Sequence, residues 1–309
     1  MASLPPMYYT CLVIAIIAVL LTITFWVITF TKKITRSTIY NFLLNLSLVA
    51  GIHSLGYSLN WVNLISDTKS ELYIDSYELC ITQSVISLFS LVGIELWISI
   101  MVFRLYYEMS DIINRITCKE FDQEDYIEND VELIPKISTV SLVICYCVGY
   151  GIPLLITIVF GSAGVLGMGS LVCWIDSQIG EKWKLALIII KGGTIVFCLI
   201  ISILVVKKQV PNGKEKGCCF WKGKKMTILF LPLIQIAGAL PSGIYRILVN
   251  IDKTYGIIPV LRNIDIICLS SQGIVYPLFF AYICGIYPII FPPKKEEKPR
   301  YNSMALEQF

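Results

Sequence analysis

The chain has 309 residues, of which 56% are hydrophobic and 15% charged, with a mean hydropathy of +0.73 and a net charge of +3. Soluble domains carry about 25% charged residues, so this balance excludes an ordinary soluble protein, and so small a net charge gives no ground for a nucleic-acid partner. The apolar residues fall into seven long stretches, and the sequence reads as an all-α membrane protein, a seven-transmembrane helix bundle.

The expected spans are 7–30, 39–62, 79–107, 137–160, 183–206, 226–249 and 260–284, each about 20 residues or more, the length a bilayer core requires. Residues 1–6 form a short overhang, 7–284 the bundle and 285–309 a tail. The first 31 residues contain no charged side chain. A basic n-region is therefore missing, and the run is too long for a signal-peptide core, so it reads as the first span.

Orientation follows from Lys and Arg. Loops 31–38, 108–136 and 207–225 and the tail hold seventeen of them, whereas the opposite side holds Lys69, Lys182, Lys253 and the boundary residue Lys184. The N-terminus is expected outside and the C-terminus in the cytoplasm. Loop 108–136 also carries nine acidic residues between Glu108 and Glu132; it reads either as a solvated loop or as a docking surface for a basic cytosolic partner.

The second span places His53 about 21 Å above the inner surface. The third runs inward from Cys80, with Glu95 about 22 Å and Arg104 about 36 Å along it. Ionisable groups inside a membrane are functional candidates by default. His53 and Glu95 lie at comparable depth, so either they meet or each finds a different polar partner. Cys80 and Cys173 are the two cysteines expected on the oxidising face, and a disulfide between them would tie the loop after the fourth span over the mouth of the bundle. Cys218 and Cys219, in the basic stretch KGCCFWKGKK (216–225), read as palmitoylation sites or as two idle thiols. No cofactor or metal site is expected.

The outer half of the bundle gathers Lys191, about 12 Å into the fifth span, with Arg246, Arg262 and Asp265 and the loop residues Trp174 and Asp176. Facing inward, they would form a cup suited to a small anionic or zwitterionic ligand, because guanidinium groups hold phosphate and carboxylate in two-pronged fashion. The alternative for the arginines is snorkelling to lipid headgroups. Pro153, Pro232, Pro241 and Pro277 mark places where the later spans are expected to kink.

Four motifs carry a resemblance: LWISIMVFRLYY (96–107), CWID followed by EKWKLALIII (173–190), LPSGIYRI (240–247) and SSQGIVYPLFFAY (270–282). Together they resemble the slime-mould cyclic-AMP receptors and cAMP-receptor-like proteins, class E of the G-protein-coupled receptors. The resemblance implies a multi-pass plasma-membrane receptor, not an enzyme, that binds a small-molecule agonist and activates a heterotrimeric G protein. Coupling would fall to Arg104 and to Lys207, Lys208, Lys224 and Lys225 around the cytoplasmic ends of the third, fifth and sixth spans. Arg246 falls on the family's Arg, which points to a phosphate-bearing ligand. The chain departs from the family in its short tail, and the Asp-Arg-Tyr and Asn-Pro marks of rhodopsin-class receptors are absent. A seven-span small-solute transporter is the alternative, against which stands the lack of an internal repeat. Retinal chemistry has no Lys in 260–284, and no paired-aspartate, His-Glu-x-x-His or Gly-x-Ser-x-Gly motif suggests catalysis.

Overall fold

A computed structural model of the protein describes residues 6–31, 38–66, 76–118, 138–168, 173–175, 180–209, 224–251 and 258–283. Among them are seven helical rods and one small hairpin. Helices α1 (Pro6–Thr31) and α2 (Thr38–Ser66) are uninterrupted. Helix α3 (Ser76–Cys118) is 43 residues long and continues past Tyr107, so Glu108–Cys118 is helical where the sequence suggested the start of a loop. The physical reason is local. No Gly or Pro stands between Gly93 and Pro135, and Arg104 and Glu108 face each other one turn apart.

Helix α4 runs through Thr139–Tyr146, a widened π turn at Cys147–Gly151, and Ile152–Ser162. Its start is capped by Ser138, whose hydroxyl accepts from Ser141 N at 3.1 Å, satisfying a donor that the first turn leaves free. The π turn immediately precedes Pro153, and Ile152 N–H reaches back to Cys147 O. Proline removes one backbone donor and crowds the carbonyl four residues earlier, and the extra residue in the turn absorbs that mismatch. Gly164 then takes a positive φ of 66°, the left-handed ending that glycine tolerates best. Strands β1 (Leu166–Met168) and β2 (Cys173–Ile175) follow, antiparallel, with Leu166 opposite Ile175 and Met168 opposite Cys173.

Helix α5 is Glu181–Gln209. Helix α6 begins as a tight 3-10 stretch, Lys224–Phe230, and continues regularly as Leu231–Ile251. Pro232 sits where the 3-10 stretch passes into the regular part, Pro241 lies inside α6 and Pro277 inside α7 (Ile258–Ile283).

The rods close a ring. Helix α1 packs on α2 and α7, α2 on α3 and α7, α3 on α5, α5 on α6, and α6 on α7, while α4 lies against α3 outside the ring. The seam of α1, α2 and α7 is tight: a Cβ at Gly273 would clash with Ser54 Oγ and approach Ala18 Cβ to 2.9 Å. The main core combines Phe42, Leu46, Val49, Trp97, Met101, Ile228 and Phe280, and a second cluster at the Cys80 end joins Leu88, Val92, Phe160, Leu166, Ile175 and Leu187.

The outward faces are apolar. On α1, Val13, Ile16, Leu20, Ile23 and Val27 are exposed at helical spacing, while Ala15, Ala18 and Phe25 are buried. Among the described residues, four rods are long and apolar enough to cross a membrane: Leu12–Thr31, Glu78–Glu108, Thr139–Ser162 and Lys182–Lys207. The protein is a multi-pass membrane protein. Its intrahelical Ser and Thr residues suit that setting, because hydroxyls at Thr22, Thr29, Ser47, Ser84, Ser90 and Thr157 donate to the carbonyl one turn back; lipid offers no other partner.

Candidate functional site

The hairpin fixes one end of the bundle. Cys80, in the first turns of α3, is joined to Cys173 of β2, with Cα atoms 5.0 Å apart, inside the range a disulfide accepts. Both cysteines are buried, and the strands lie on α3 with Leu166 and Ile175 packed under them. The bridge therefore anchors the segment after α4 to the top of α3, as the sequence suggested.

Glu95 is the centre of the described polar interior. It lies on α3, 4% exposed, and it collects three partners from two other helices. Its Oε2 accepts from Thr194 Oγ1 of α5 at 3.1 Å and from Gln235 Nε2 of α6 at 2.5 Å. Its Oε1 lies 3.9 Å from Lys191 Nζ of α5. Lys191 and Thr194 stand three residues apart and so share one face of α5. One and two turns on, Ser99 Oγ of α3 meets Cys198 Sγ of α5 at 3.4 Å, extending the same contact.

Around this carboxylate stand further buried polar groups. Gln272 of α7 lies against α6, where a Cβ at Gly238 would approach its Nε2 to 3.0 Å. Among the described residues, Gln235 Oε1, Gln272 Oε1 and Tyr276 Oη meet no hydrogen-bond partner. His53 of α2 places its Nδ1 2.9 Å from Ser90 Oγ on α3.

The opposite end of α3 carries Arg104. Its Nε donates to Glu108 Oε1 at 3.0 Å, and its guanidinium lies 5.4 Å from the Tyr107 ring centroid. Both members of the pair are mostly buried, with side chains 12% and 3% exposed.

The remaining residues singled out from the sequence are placed as follows. Arg246 is on α6, Arg262 and Asp265 are on α7, and Trp174 is on β2 opposite Gly167, with their side chains outside the described residues. Asp176, Cys218 and Cys219 lie outside the described residues altogether. Lys207 is exposed near the end of α5, Lys208 follows it on the same helix, and Lys224 and Lys225 open the 3-10 stretch of α6. Sequence reasoning found Glu95 and Lys191 but missed Thr194 and Gln235. The signal for Gln235 was available: it is the lone strongly polar side chain in LPLIQIAG (231–238).

Residues 132–248 are similar to the family model described as 7 transmembrane receptor (Secretin family). The matched segment covers α4, the hairpin, α5 and nearly all of α6, which includes Cys173, Lys191, Thr194 and Gln235. It supports a seven-span receptor of the kind that couples to G proteins. No curated protein matches the chain.

Proposed function

We propose that this protein is a G-protein-coupled receptor whose seven helices cross the plasma membrane with the N-terminus outside and the C-terminus in the cytoplasm. The observation that carries the reading is the receptor-family match across α4 to α6. A ring of helical rods capped at one end by a disulfide-anchored hairpin supports it. On this topology the hairpin is extracellular and Arg104 lies at the cytoplasmic end of α3.

The agonist is a small molecule that enters from the hairpin side and meets Lys191, Arg246, Arg262, Asp265, Trp174 and Asp176. The contact between Lys191 and Glu95 favours a zwitterion over a simple anion, because the ammonium already has a carboxylate beside it. The G protein engages the opposite end, at Arg104, Lys207, Lys208, Lys224 and Lys225. The four motifs at 96–107, 173–190, 240–247 and 270–282 resemble the cAMP-receptor-like proteins, and a phosphate-bearing agonist is the corollary for Arg246.

The test is nucleotide exchange on heterotrimeric G proteins, using the protein in lipid nanodiscs and a panel of nucleotides, amino acids and small organic acids. A ligand that accelerates exchange, with potency weakened by Lys191→Ala and Arg246→Ala, supports both the receptor and its site. Solute flux in sealed vesicles without any exchange would establish the transporter instead.

A further inference from the structure

The Lys191 ammonium stands 3.9 Å from Glu95, and its side chain is 22% exposed. At hydrogen-bond distance the carboxyl is held by neutral donors, the Thr194 hydroxyl and the Gln235 amide. Gln235 is buried, and while its Nε2 faces Glu95 its Oε1 meets no partner among the described residues. A Gln amide carries donor and acceptor on one planar group, so half a turn about its last bond exchanges them. Nε2 suits a carboxylate, and Oε1 suits a protonated carboxyl that donates. Gln235 is thus built to hold either form of Glu95. The other titratable groups on the elements packed against α3 are His53 of α2, which meets Ser90; Tyr150 of α4, which donates to Asn45; Cys198 of α5, which meets Ser99; and Tyr276 of α7. Cys198 and Tyr276 lie within electrostatic reach of Glu95, and His53 within reach of Lys191. Between Thr227 and Gly238, α6 adds no titratable side chain.

A carboxylate and an ammonium cancel. An anion drawn to Lys191 beside an ionised Glu95 would leave one negative charge in excess, and an unbalanced charge in a low-dielectric interior is strongly unfavourable. A proton on Glu95 removes the excess. We propose that Glu95 and Lys191 form a proton-coupled anion site: an anionic ligand group takes the place of the Glu95 carboxylate beside the Lys191 ammonium, and Glu95 takes up one proton from the aqueous phase, its hydroxyl then donating to Gln235 Oε1. The charges balance before and after, as ammonium with carboxylate and then as ammonium with ligand anion beside a neutral acid. A zwitterion brings its own cation for Glu95 and needs no proton; a plain anion is admitted only with one. The coupling rests on the agonist site described above, since it places the ligand at Lys191, but it needs no G protein.

The experiment uses the full chain in nanodiscs, with methanesulfonate, an anion that does not titrate, as the probe. Infrared difference spectroscopy follows the carbonyl stretch of a protonated carboxyl between about pH 5 and pH 9, a window that reaches the highest values recorded for buried glutamates. A band that fades as pH rises, is missing in Glu95→Gln and is displaced in Glu95→Asp is the Glu95 proton. Methanesulfonate should move the midpoint of that band upward in the wild type and leave it in place in Lys191→Met. Its affinity should fall about tenfold per pH unit above the midpoint, the signature of one linked proton, and should be flat with pH in Glu95→Gln, whose amide stands in for the acid. Variants are compared only where the Cys80–Cys173 bridge forms on non-reducing gels, and the wild-type titration with and without methanesulfonate decides the coupling even where a variant fails to fold. No Glu95 band in the window, a midpoint that methanesulfonate does not move, or a wild-type affinity indifferent to pH each overturns the coupling. A coupled midpoint without agonist-driven nucleotide exchange keeps the site and rejects the receptor. Agonist-driven exchange with an uncoupled midpoint keeps the receptor and rejects the proton.

Discussion

Gly149 stands so close to the Trp97 indole that a Cβ built on it would lie 2.5 Å from Trp97 Cε2. Trp97 is fully buried, with Tyr150 and Tyr146 edge-on to it at 5.2 and 5.6 Å and Phe42 tilted at 5.7 Å. The π turn of α4 thus presents a bare backbone to the broadest side chain of α3. Gly149→Ala should destabilise the bundle by about 1–3 kcal/mol through overpacking, and Trp97→Ala by about 3–5 kcal/mol through the cavity it leaves. Thermal unfolding in detergent reads both; equal melting temperatures for Gly149→Ala and wild type would mean that α4 does not dock here.

Asn45 joins α2 to α4 by accepting from Tyr150 Oη at 2.7 Å and donating to Tyr146 Oη at 3.2 Å and to Asn41 O at 2.7 Å. Asn45→Leu orphans the Tyr150 hydroxyl in a place with little water. A loss of about 1–3 kcal/mol is expected. Adding Tyr150→Phe to that variant should recover part of it, since removing both partners costs less than removing one. Chemical unfolding in mixed micelles, run as a double-mutant cycle, measures the coupling.

The Cys80–Cys173 bridge closes a separation of 93 residues. Cys80→Ser should cost about 2–4 kcal/mol, and mild reduction of the wild type should reproduce the loss. Mass spectrometry of an unreduced digest should recover the two cysteines in one linked peptide pair. Full recovery of them as separate peptides would remove the bridge.

Arg104 and Glu108 behave differently when cut apart. Arg104→Ala leaves a nearly buried carboxylate without its guanidinium and should destabilise by about 3 kcal/mol. Glu108→Gln leaves a long cation able to reach polar headgroups and should cost about 1 kcal/mol or less. The combined Arg104→Ala and Glu108→Gln variant should be more stable than Arg104→Ala alone. A combined variant worse than either single one would show that the two residues act separately.

The helices were legible because apolar length is a strong signal, and the bridge because Cys80 and Cys173 were the two cysteines expected on the oxidising face. The interior pairing was legible only along one coordinate. Counting residues gives depth, and it placed His53 and Glu95 level with each other. It gives no azimuth relative to the neighbouring helices. Ser90 and Glu95 are five positions apart, roughly 140° around α3, so the face that meets His53 of α2 is not the face that presents Glu95 to α5 and α6. Thr194 was overlooked for a different reason: a threonine in a span usually satisfies itself, and this one also donates to Lys191 O at 2.8 Å. The extension of α3 to Cys118 was hidden by composition, since a charged segment beyond an apolar one reads as a loop even when nothing breaks the helix.

The crowding at Gly273 carries a mechanical consequence. With Ser54 and Ala18 pressed against its backbone, α7 has no clearance to slide or roll on α1 and α2, so these three rods form a stator. Any large rearrangement has to be carried by the other side of the barrel, where α4 is peripheral and α6 packs only thinly on α5.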